Sequence, residues 1–243
     1  MLLEICTNSY QSAVNAEQAG AQRIELCTEL GVGGITPSYG LLTEVMKSLS
    51  ISVFVLIRPR SGNFVYSDSE FTTMKRDIEL CKKLGCHGIV SGVLNKDNAL
   101  DIERTKELIE LSKPLPFTFH RAFDLVQNPI KTVEQLIQLG VARVLTSGQE
   151  TNAAKGIDLL KQLRISANNQ LIILPGGGIN SDNALVFKNA GFFEIHCSAS
   201  KIIQQDEAPK ISMNSVQFLD ERNISYSSTT NIKAILNSLK NEK

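Results

Sequence analysis

Short apolar segments alternate with longer amphipathic segments along most of the chain. Eight apolar segments stand out: LLEIC, RIELC, VFVLIR, GIVSGV, PFTFHR, RVLTSG, LIILPGGG and FEIHCSA. The longer segments between them, such as SEFTTMKRDIELCKKLG, have the periodicity of helices with one apolar face. Strands that alternate with helices of this length predict parallel strands joined by crossover helices.

Four of the predicted helices end in a similar way, with EQAG, KKLG, IQLG and KNAG. Their last residues, Gly20, Gly85, Gly140 and Gly191, suit the left-handed conformation that closes a helix. These glycines precede strands two, four, six and eight, so a strand–helix–strand–helix unit occurs four times. A closed TIM-type barrel of eight parallel strands, (β/α)8, satisfies that count. An open doubly wound sheet is the alternative, but its usual glycine fingerprint is absent from the first turn, CTNSYQS.

The barrel pattern covers residues 1–200 and forms a single domain. Residues 201–243 are predicted to be a short, variable C-terminal helical extension packed on the barrel. Within them, NSVQFLD and TNIKAILNSLK are predicted to be short helices, representing the eighth barrel helix displaced by an insertion. Further back, Ser67 and Glu70 form the capping signal expected at the start of the third helix.

Alternation within the strands separates polar side chains from apolar ones. In RIELC, for example, Ile24 and Leu26 lie opposite Glu25. The apolar faces must meet the surrounding helices, so the polar faces point to the barrel axis. The predicted interior groups are Glu4, Glu25, His120, Glu194 and His196, with Arg23 and Arg58 as counter-charges. Buried charges persist only when they are paired or bound to a ligand, so internal ion pairs and a functional site both remain open.

The position of these charges favours a functional site. They gather near the carboxyl ends of the strands, which is where barrel enzymes carry their chemistry. The sequence therefore predicts a polar barrel mouth.

The net charge, the length of the apolar runs and the cysteine count argue against several classes of function. The formal net charge is +0, which argues against a nucleic-acid or anionic-membrane partner. No run approaches the roughly 20 apolar residues of a membrane helix, and the start MLLEICTNSY is interpreted as a first strand rather than a signal peptide. The cysteine count is odd, at five, and no CxxC motif occurs. We therefore expect a cytoplasmic protein without a disulfide framework or a structural zinc site.

Two loops are candidate anion sites. In IRPRSGNFVYSD, Arg58 and Arg60 flank Pro59, so both guanidinium groups would keep a fixed direction and hold a carboxylate or phosphate. The alternative is a salt bridge from this pair to Glu25 or Asp124.

The second loop is LPGGGIN after strand seven. Its glycines precede a helix predicted to be capped at Asn180 or Ser181, so their backbone N–H groups would cradle a phosphate. A tight turn without a ligand is the alternative. The predicted anion ligands are Arg58, Arg60, Gly176, Gly177, Gly178 and, from LTSGQ, Ser147.

His120 ends the segment PFTFHR and is the main candidate for proton transfer. An imidazole titrates near working pH, and Glu25 or Asp124 would orient it. Arg58 would then hold an anionic substrate, and His196 is a further catalytic candidate in the same interior. This arrangement demands no cofactor.

Cys6 and Cys27 end strands one and two in equivalent phase. Neighbouring strands lie about 4.8 Å apart. Two thiolates that close bind a soft ion such as Cu(I). The alternative is a pair of small buried apolar side chains.

Seven ordered motifs resemble the CutC family: EICTNSYQSAVNAEQAGAQRIELC, GGITPSYGL, IRPRSGNFVYSDSEF, FTFHRAFD, LTSGQ, PGGGIN and EIHCSAS. The resemblance implies a TIM-type barrel, a cytoplasmic location, self-association as a dimer or tetramer, and a link to copper homeostasis. It also implies that Cys6 and Cys27 occupy the positions of the suggested copper ligands.

Two hypotheses follow. In the first, the protein binds Cu(I) through Cys6 and Cys27. In the second, it is a barrel enzyme for a small anion, since a metal carrier has no need of Arg58, His120 and His196 in one interior.

Overall fold

Eight parallel strands alternate with helices in the computed structural model, which describes residues 1–204, 211 and 222–240. The barrel strands are β1 (Leu2–Thr7), β2 (Arg23–Leu26), β3 (Ser52–Leu56), β4 (Gly88–Ser91), β5 (Phe117–Phe119), β6 (Arg143–Thr146), β7 (Ile172–Pro175) and β8 (Glu194–Cys197). The helices between them are α1 (Tyr10–Ala19), α2 (Tyr39–Ser48), α3 (Asp68–Lys83), α4 (Ile102–Ser112), α5 (Pro129–Gln138), α6 (Ile157–Ala167) and α7 (Ala184–Asn189). The predicted eight strands and TIM-type architecture are confirmed. No helix in the described ranges has both the length and the apolar character needed to cross a bilayer.

The strands pair in the order β7–β6–β5–β4–β3–β2–β1–β8, each parallel to its neighbour. A bridge between Gly176 and His196 joins the end of β7 to β8 and completes the ring. All eight strands therefore run in one direction around the axis, and their carboxyl ends meet at one mouth.

The predicted helix boundaries have the expected local causes. Gly20, Gly85, Gly140 and Gly191 have φ values of 92°, 78°, 81° and 82°, in the left-handed region that glycine tolerates. At the start of α3, the Ser67 side chain accepts from the backbone of Glu70, and the Glu70 side chain accepts from the backbone of Ser67. This reciprocal pair is the predicted capping box.

The last described segments form a hairpin and a helix. Strands β9 (Ser200–Gln204) and β10 (Asn223–Ser227) pair antiparallel, and α8 (Thr229–Lys240) packs against α1 and α7. The helix predicted from TNIKAILNSLK is thus confirmed, but the region is not helical throughout. The helix predicted from NSVQFLD lies outside the described residues. The domain boundary at residue 200 stays a prediction.

Two apolar clusters flank the strands, and the alternation predicted only the outer one. The larger cluster lies between strands and helices and includes Ile5, Ile24 and Leu26. A smaller cluster, on the other face of the strands, consists of Cys6, Cys27, Phe54, Leu56 and Val90. Phe193 is an exception to the predicted outer face, because it is 67% exposed just before β8 rather than packed under a helix.

Candidate functional site

A layer of ion pairs crosses the barrel interior. Arg23 on β2 donates to Glu4 on β1 through Nε and to Glu194 on β8 through Nη2. Arg143 on β6 donates to the same Glu194 oxygen at 2.9 Å. Arg23 was predicted as a counter-charge and is one. Arg143 was not identified from the sequence, although the alternation in RVLT places it on the same face as Leu145.

Glu4 also forms a hydrogen bond with His196, and each of the two groups shifts the pKa of the other. The His196 Nδ1 lies 2.7 Å from Glu4 Oε1. Burial by itself raises the pKa of Glu4, but the His196 hydrogen bond and the Arg23 charge outweigh it and lower that pKa to about 2. Burial by itself lowers the pKa of His196, but the hydrogen bond to Glu4 and the charge of Glu25 raise it overall. The carboxylate–imidazole pair of this barrel is therefore Glu4–His196.

A cavity of about 240 Å³ opens at the carboxyl ends of the strands. We call it the mouth cavity. Cys6, Glu25 and His196 line it from the adjacent strands β1, β2 and β8, and Arg58, Phe64 and His120 line it from the loops after β3 and β5. The structure thus brings the predicted catalytic residues Glu25, Arg58, His120 and His196 to one cavity.

Cys6 lies close to several side chains of the kinds that ligate metal ions. Its Sγ lies 3.6 Å from the Cys27 Sγ and 3.9 Å from Glu25 Oε1. One ligand atom each from Cys6, Glu25 and His196 falls within 4.8 Å of the others. The hydrogen bond with Cys27, together with burial, raises the pKa of the Cys6 thiol well above its usual range. In the absence of a metal, Cys6 is therefore a protonated thiol at neutral pH.

Glu25 differs from Glu4, although both side chains are buried in the same interior. Burial raises the pKa of Glu25 to about 7, since desolvation disfavours the charged form. Its Oε2 has no hydrogen-bond partner among the described residues. Glu25 therefore presents an unsatisfied oxygen next to the mouth cavity.

Arg58 is held by backbone carbonyls rather than by a carboxylate. Its Nη1 donates to Val32 O and Gly34 O, both at 2.9 Å, and its Nη2 donates to Gly62 O at 2.7 Å. Within the described residues its Nε has no partner and no ion pair forms. The salt bridge to Glu25 or Asp124, which the sequence left open, is therefore not made.

Arg60 turns away from Arg58, contrary to the prediction of two converging guanidinium groups. It pairs with Glu70 and donates to Val65 O at 2.8 Å. It does not line the mouth cavity. The physical reason is that the Glu70 carboxylate at the start of α3 is its nearer counter-charge.

His120 lies where predicted but has a different protonation state. Its Nδ1 accepts from the Ala122 backbone N–H at 3.2 Å. Burial, helped by the Arg58 charge, lowers the pKa of His120 to about 3. The expectation that it titrates near working pH is therefore wrong. A neutral ring whose Nδ1 accepts must carry its proton on Nε2, and Nε2 has no partner among the described residues.

Asp124 orients a loop rather than His120. It accepts from the Ser147 backbone and hydroxyl, at 3.0 and 3.0 Å, and from the Gln149 backbone at 3.2 Å. Arg121 Nε also pairs with it at 2.7 Å. Ser147, a predicted anion ligand, is consequently committed to Asp124 and lies outside the mouth cavity.

The three glycines after β7 divide into two roles. Gly177 and Gly178, with φ of 110° and 71°, line the mouth cavity. Gly176 does not, and a Cβ there would meet Leu145 at 2.4 Å. The predicted helix cap at Asn180 or Ser181 is wrong, because α7 begins at Ala184 with Asn183 as its cap. These glycines are therefore part of a loop wall and not of a helix N-terminus.

Known proteins have sequences similar to this chain. The family model described as CutC family matches residues 1–201. The chain is 47% identical over 216 residues to the copper homeostasis protein cutC homolog of Mus musculus, covering 88% of this chain and 79% of that protein. It is 48% identical over 199 residues to the homolog of the same name in Homo sapiens, covering 82% and 73%.

A solved structure of a protein named CutC, from Streptococcus agalactiae, has a similar fold. The TM-score is 0.78 at 35% sequence identity, covering 82% of this chain and 98% of that one.

Proposed function

This chain belongs to the CutC family, and from that premise we propose that it binds Cu(I) as a protein of copper homeostasis, with Cys6, Cys27 and His196 as ligands. One observation carries the proposal. Cys6 lies beside a histidine and a carboxylate at the mouth cavity, and the buried thiol of Cys27 lies 3.6 Å behind it. Thiolate and imidazole donors are those that a soft monovalent copper ion prefers.

The spacing of the thiols favours three ligands over two. With metal–thiolate bonds of about 2.3 Å, a linear pair would place the sulfurs about 4.6 Å apart. The observed 3.6 Å fits a bent pair that leaves a position for a third ligand. His196 suits that position because its Nδ1 is engaged by Glu4, so Nε2 is the ring nitrogen left for a metal. A carboxylate behind a ligating histidine is a common arrangement around protein metals.

Protons compete with copper at this site. The pKa of Cys6 is raised by its hydrogen bond with Cys27 and by burial, and the pKa of His196 is raised by its hydrogen bond to Glu4. Metal binding must release these protons. We therefore expect affinity to fall steeply as pH decreases through neutrality.

Titration of the reduced protein with Cu(I), against a chromogenic chelator of known affinity, tests the proposal. Cys6→Ser, Cys27→Ser and His196→Gln are each expected to weaken Cu(I) binding at least tenfold. Cys86→Ala is the matched control, because it removes a buried thiol that is not at the mouth cavity.

Two results would contradict the proposal. Equal affinity in the wild type and in a Cys6→Ser/Cys27→Ser double variant would exclude these ligands. Tighter binding of Zn²⁺ than of Cu(I), after correction for their chelator affinities, would keep a metal site but reject copper as its natural ion.

The second hypothesis, an acid–base enzyme, loses its predicted proton-transfer group. His120 has a pKa of about 3, and within the described residues it makes no hydrogen bond with Glu25 or Asp124. An imidazole with a pKa of about 3 binds a proton too weakly to be an efficient general base at pH 7. Only the anion-binding part of that hypothesis keeps support, through Arg58.

A reducing compartment such as the cytoplasm is part of the copper proposal. All five cysteines are free and buried, and Cu(I) coordination requires thiolates rather than a disulfide. Self-association as a dimer or tetramer remains a prediction from the family resemblance. Size-exclusion chromatography with light scattering tests it.

A further inference from the structure

We propose that the mouth cavity also binds a small oxyanion, a carboxylate- or phosphate-bearing molecule, which accepts hydrogen bonds from Arg58 Nε and His120 Nε2. The ligand class differs from a metal ion, so the inference goes beyond copper binding. It depends on donors that the copper site does not use.

Arg58 supplies a buried positive charge that lacks a counter-charge. The residue is 5% exposed. Three carbonyl oxygens accept from its two Nη groups, while its Nε makes no hydrogen bond in the described part of the chain. The neutral hydroxyl of Tyr66 lies near the guanidinium but supplies no negative charge. A buried guanidinium without a carboxylate is costly, because desolvation is not offset by an ion pair. An anion in the mouth cavity would supply the missing charge.

His120 supplies a second buried donor from the loop after β5. It is also 5% exposed, and its Nδ1 is engaged by the Ala122 backbone. The ring packs closely on Gly92, where a Cβ would lie 2.7 Å from Cε1 and Nδ1. These contacts fix the ring and leave the Nε2–H as its one free polar group. A buried donor without a partner costs about 1–3 kcal/mol, and such a donor is rare in native proteins unless a ligand or water meets it.

Phe64 covers both donors. The Arg58 Cζ lies 4.9 Å from the centre of the Phe64 ring, and the His120 ring centre lies 4.8 Å from it. A ring face attracts a cation by about 0.5–2 kcal/mol, which is a weak replacement for an anion. Phe64 sits in the loop between β3 and α3, and its ring is only half-buried. Phe64 therefore forms an apolar wall of the mouth cavity against both residues.

The remaining walls limit the ligand's size and charge. A volume of about 240 Å³ corresponds to about eight water molecules, which is enough for a small metabolite. Arg121 adds a positive charge at the cavity wall, although Asp124 pairs with it. Glu25 is the carboxyl group that faces the same cavity, and burial favours its neutral form.

Calorimetric titration of the reduced, full-length protein without added metal tests the site. Inorganic phosphate and malonate are titrated separately, so that the two arms distinguish a phosphate from a carboxylate. We expect saturable binding of at least one. His120→Phe, which keeps an aromatic ring but removes the donor, should weaken it at least tenfold. Arg58→Met should do the same.

Arg60→Gln is the matched control, since Arg60 is a neighbouring arginine that does not line the mouth cavity. The affinity of the Arg60→Gln variant for phosphate and malonate should equal that of the wild type. Phe64→Ala should bind phosphate or malonate at least as tightly as the wild type, because it removes the ring that lies over Arg58 and His120 and leaves both donors in place. Should Arg58→Met fail to fold, His120→Phe and Phe64→Ala decide the question.

Three outcomes would overturn the inference. One is the absence of saturable binding for both anions in the wild type and in Phe64→Ala. Another is unchanged affinity in His120→Phe. The third is loss of anion binding in Cys6→Ser/Cys27→Ser, since that would place the anion at the copper ligands. Retained anion binding in this double variant supports separate sites even if copper binding fails its own test.

Discussion

Replacing Glu4 by Gln should remove one of the larger electrostatic contributions to the stability of this barrel. The substitution keeps the size of the side chain, so the effect measured is that of the charge. Glu4 is 1% exposed and contacts both Arg23 and His196. Its ionised form is therefore stabilised in the folded protein and has no such partners in the unfolded chain.

The magnitude follows from the depressed pKa of Glu4. A fall from 4.5 to about 2 corresponds to about 3 kcal/mol of stability at neutral pH. This agrees in size with the 3–5 kcal/mol typical of removing one partner from a buried pair. For a domain of this length we expect Glu4→Gln to lower the Tm by about 6–12 °C.

The pH dependence of this deficit has a definite sign. A carboxyl group with a depressed folded-state pKa stabilises the fold above its unfolded pKa of 4.5 and loses that effect as pH falls towards 2. The wild-type protein should therefore lose its advantage over Glu4→Gln on acidification. At pH 3 about half of the deficit should remain.

Glu25→Gln is the matched variant, and its effect should have the opposite sign. The pKa of Glu25 is raised to about 7 by burial, so its ionisation costs stability as pH rises from 4.5 through 7. At pH 8 Glu25→Gln should be more stable than the wild type by up to about 3 kcal/mol, whereas at pH 4 the two should be equal. Functional sites often retain groups that lower the stability of the fold, and the ionised form of Glu25 is such a group.

Urea denaturation of the metal-free protein at pH 3, 4, 6 and 8 gives all these differences. Acidic groups that do not interact with Glu4 or Glu25 titrate equally in each variant and cancel when variants are compared at one pH. A Glu4→Gln deficit below about 1 kcal/mol at pH 7, or one independent of pH, would refute the reasoning. So would a Glu25→Gln variant that is no more stable than the wild type at pH 8.

Three further predictions concern separate features. Gly92→Ala should destabilise the protein by about 1–3 kcal/mol and weaken phosphate or malonate binding in calorimetry without changing Cu(I) affinity, because its Cβ would displace the His120 ring. Ser67→Ala removes half of the capping box with Glu70 and should cost about 1 kcal/mol in urea denaturation. Lys75→Gln breaks a surface ion pair and should change stability by less than about 1 kcal/mol; a larger loss would mean that exposed pairs matter here.

The barrel was predictable because its signals are local and repeated. Apolar segments mark the strands, and four glycines close helices in the same way, so the count of eight needed no long-range information. The internal direction of Glu4, Glu25 and His196 was equally predictable, because side chains alternate along a strand.

The loops were less predictable, since their side chains choose among several partners in three dimensions. Arg60 pairs with Glu70, and Asp124 binds the turn that contains Ser147. Neither choice is encoded in spacing alone. The protonation of His120 was also missed, because it depends on complete burial and on the nearby Arg58 charge. Motifs located these residues correctly but did not determine their contacts.

The barrel interior combines a mostly paired layer with an incomplete one, and the difference indicates where function lies. Deeper in the barrel, Arg23 bridges Glu4 and Glu194, so these charges neutralise one another. Eight buried side-chain polar atoms lack partners in the described residues, and three of them belong to Glu25, Arg58 and His120, which line one cavity.

Scattered unsatisfied atoms are ordinary imperfections, but three on residues that line one cavity of about 240 Å³ point to a shared cause. If these groups served only to stabilise the fold, ion pairs like those of Arg23 would give a lower free energy than unpaired polar atoms. Ligands that enter and leave explain why the mouth is unpaired while the layer beneath it is closed. On this reasoning, the paired layer stabilises the barrel and the unpaired groups recognise what enters it.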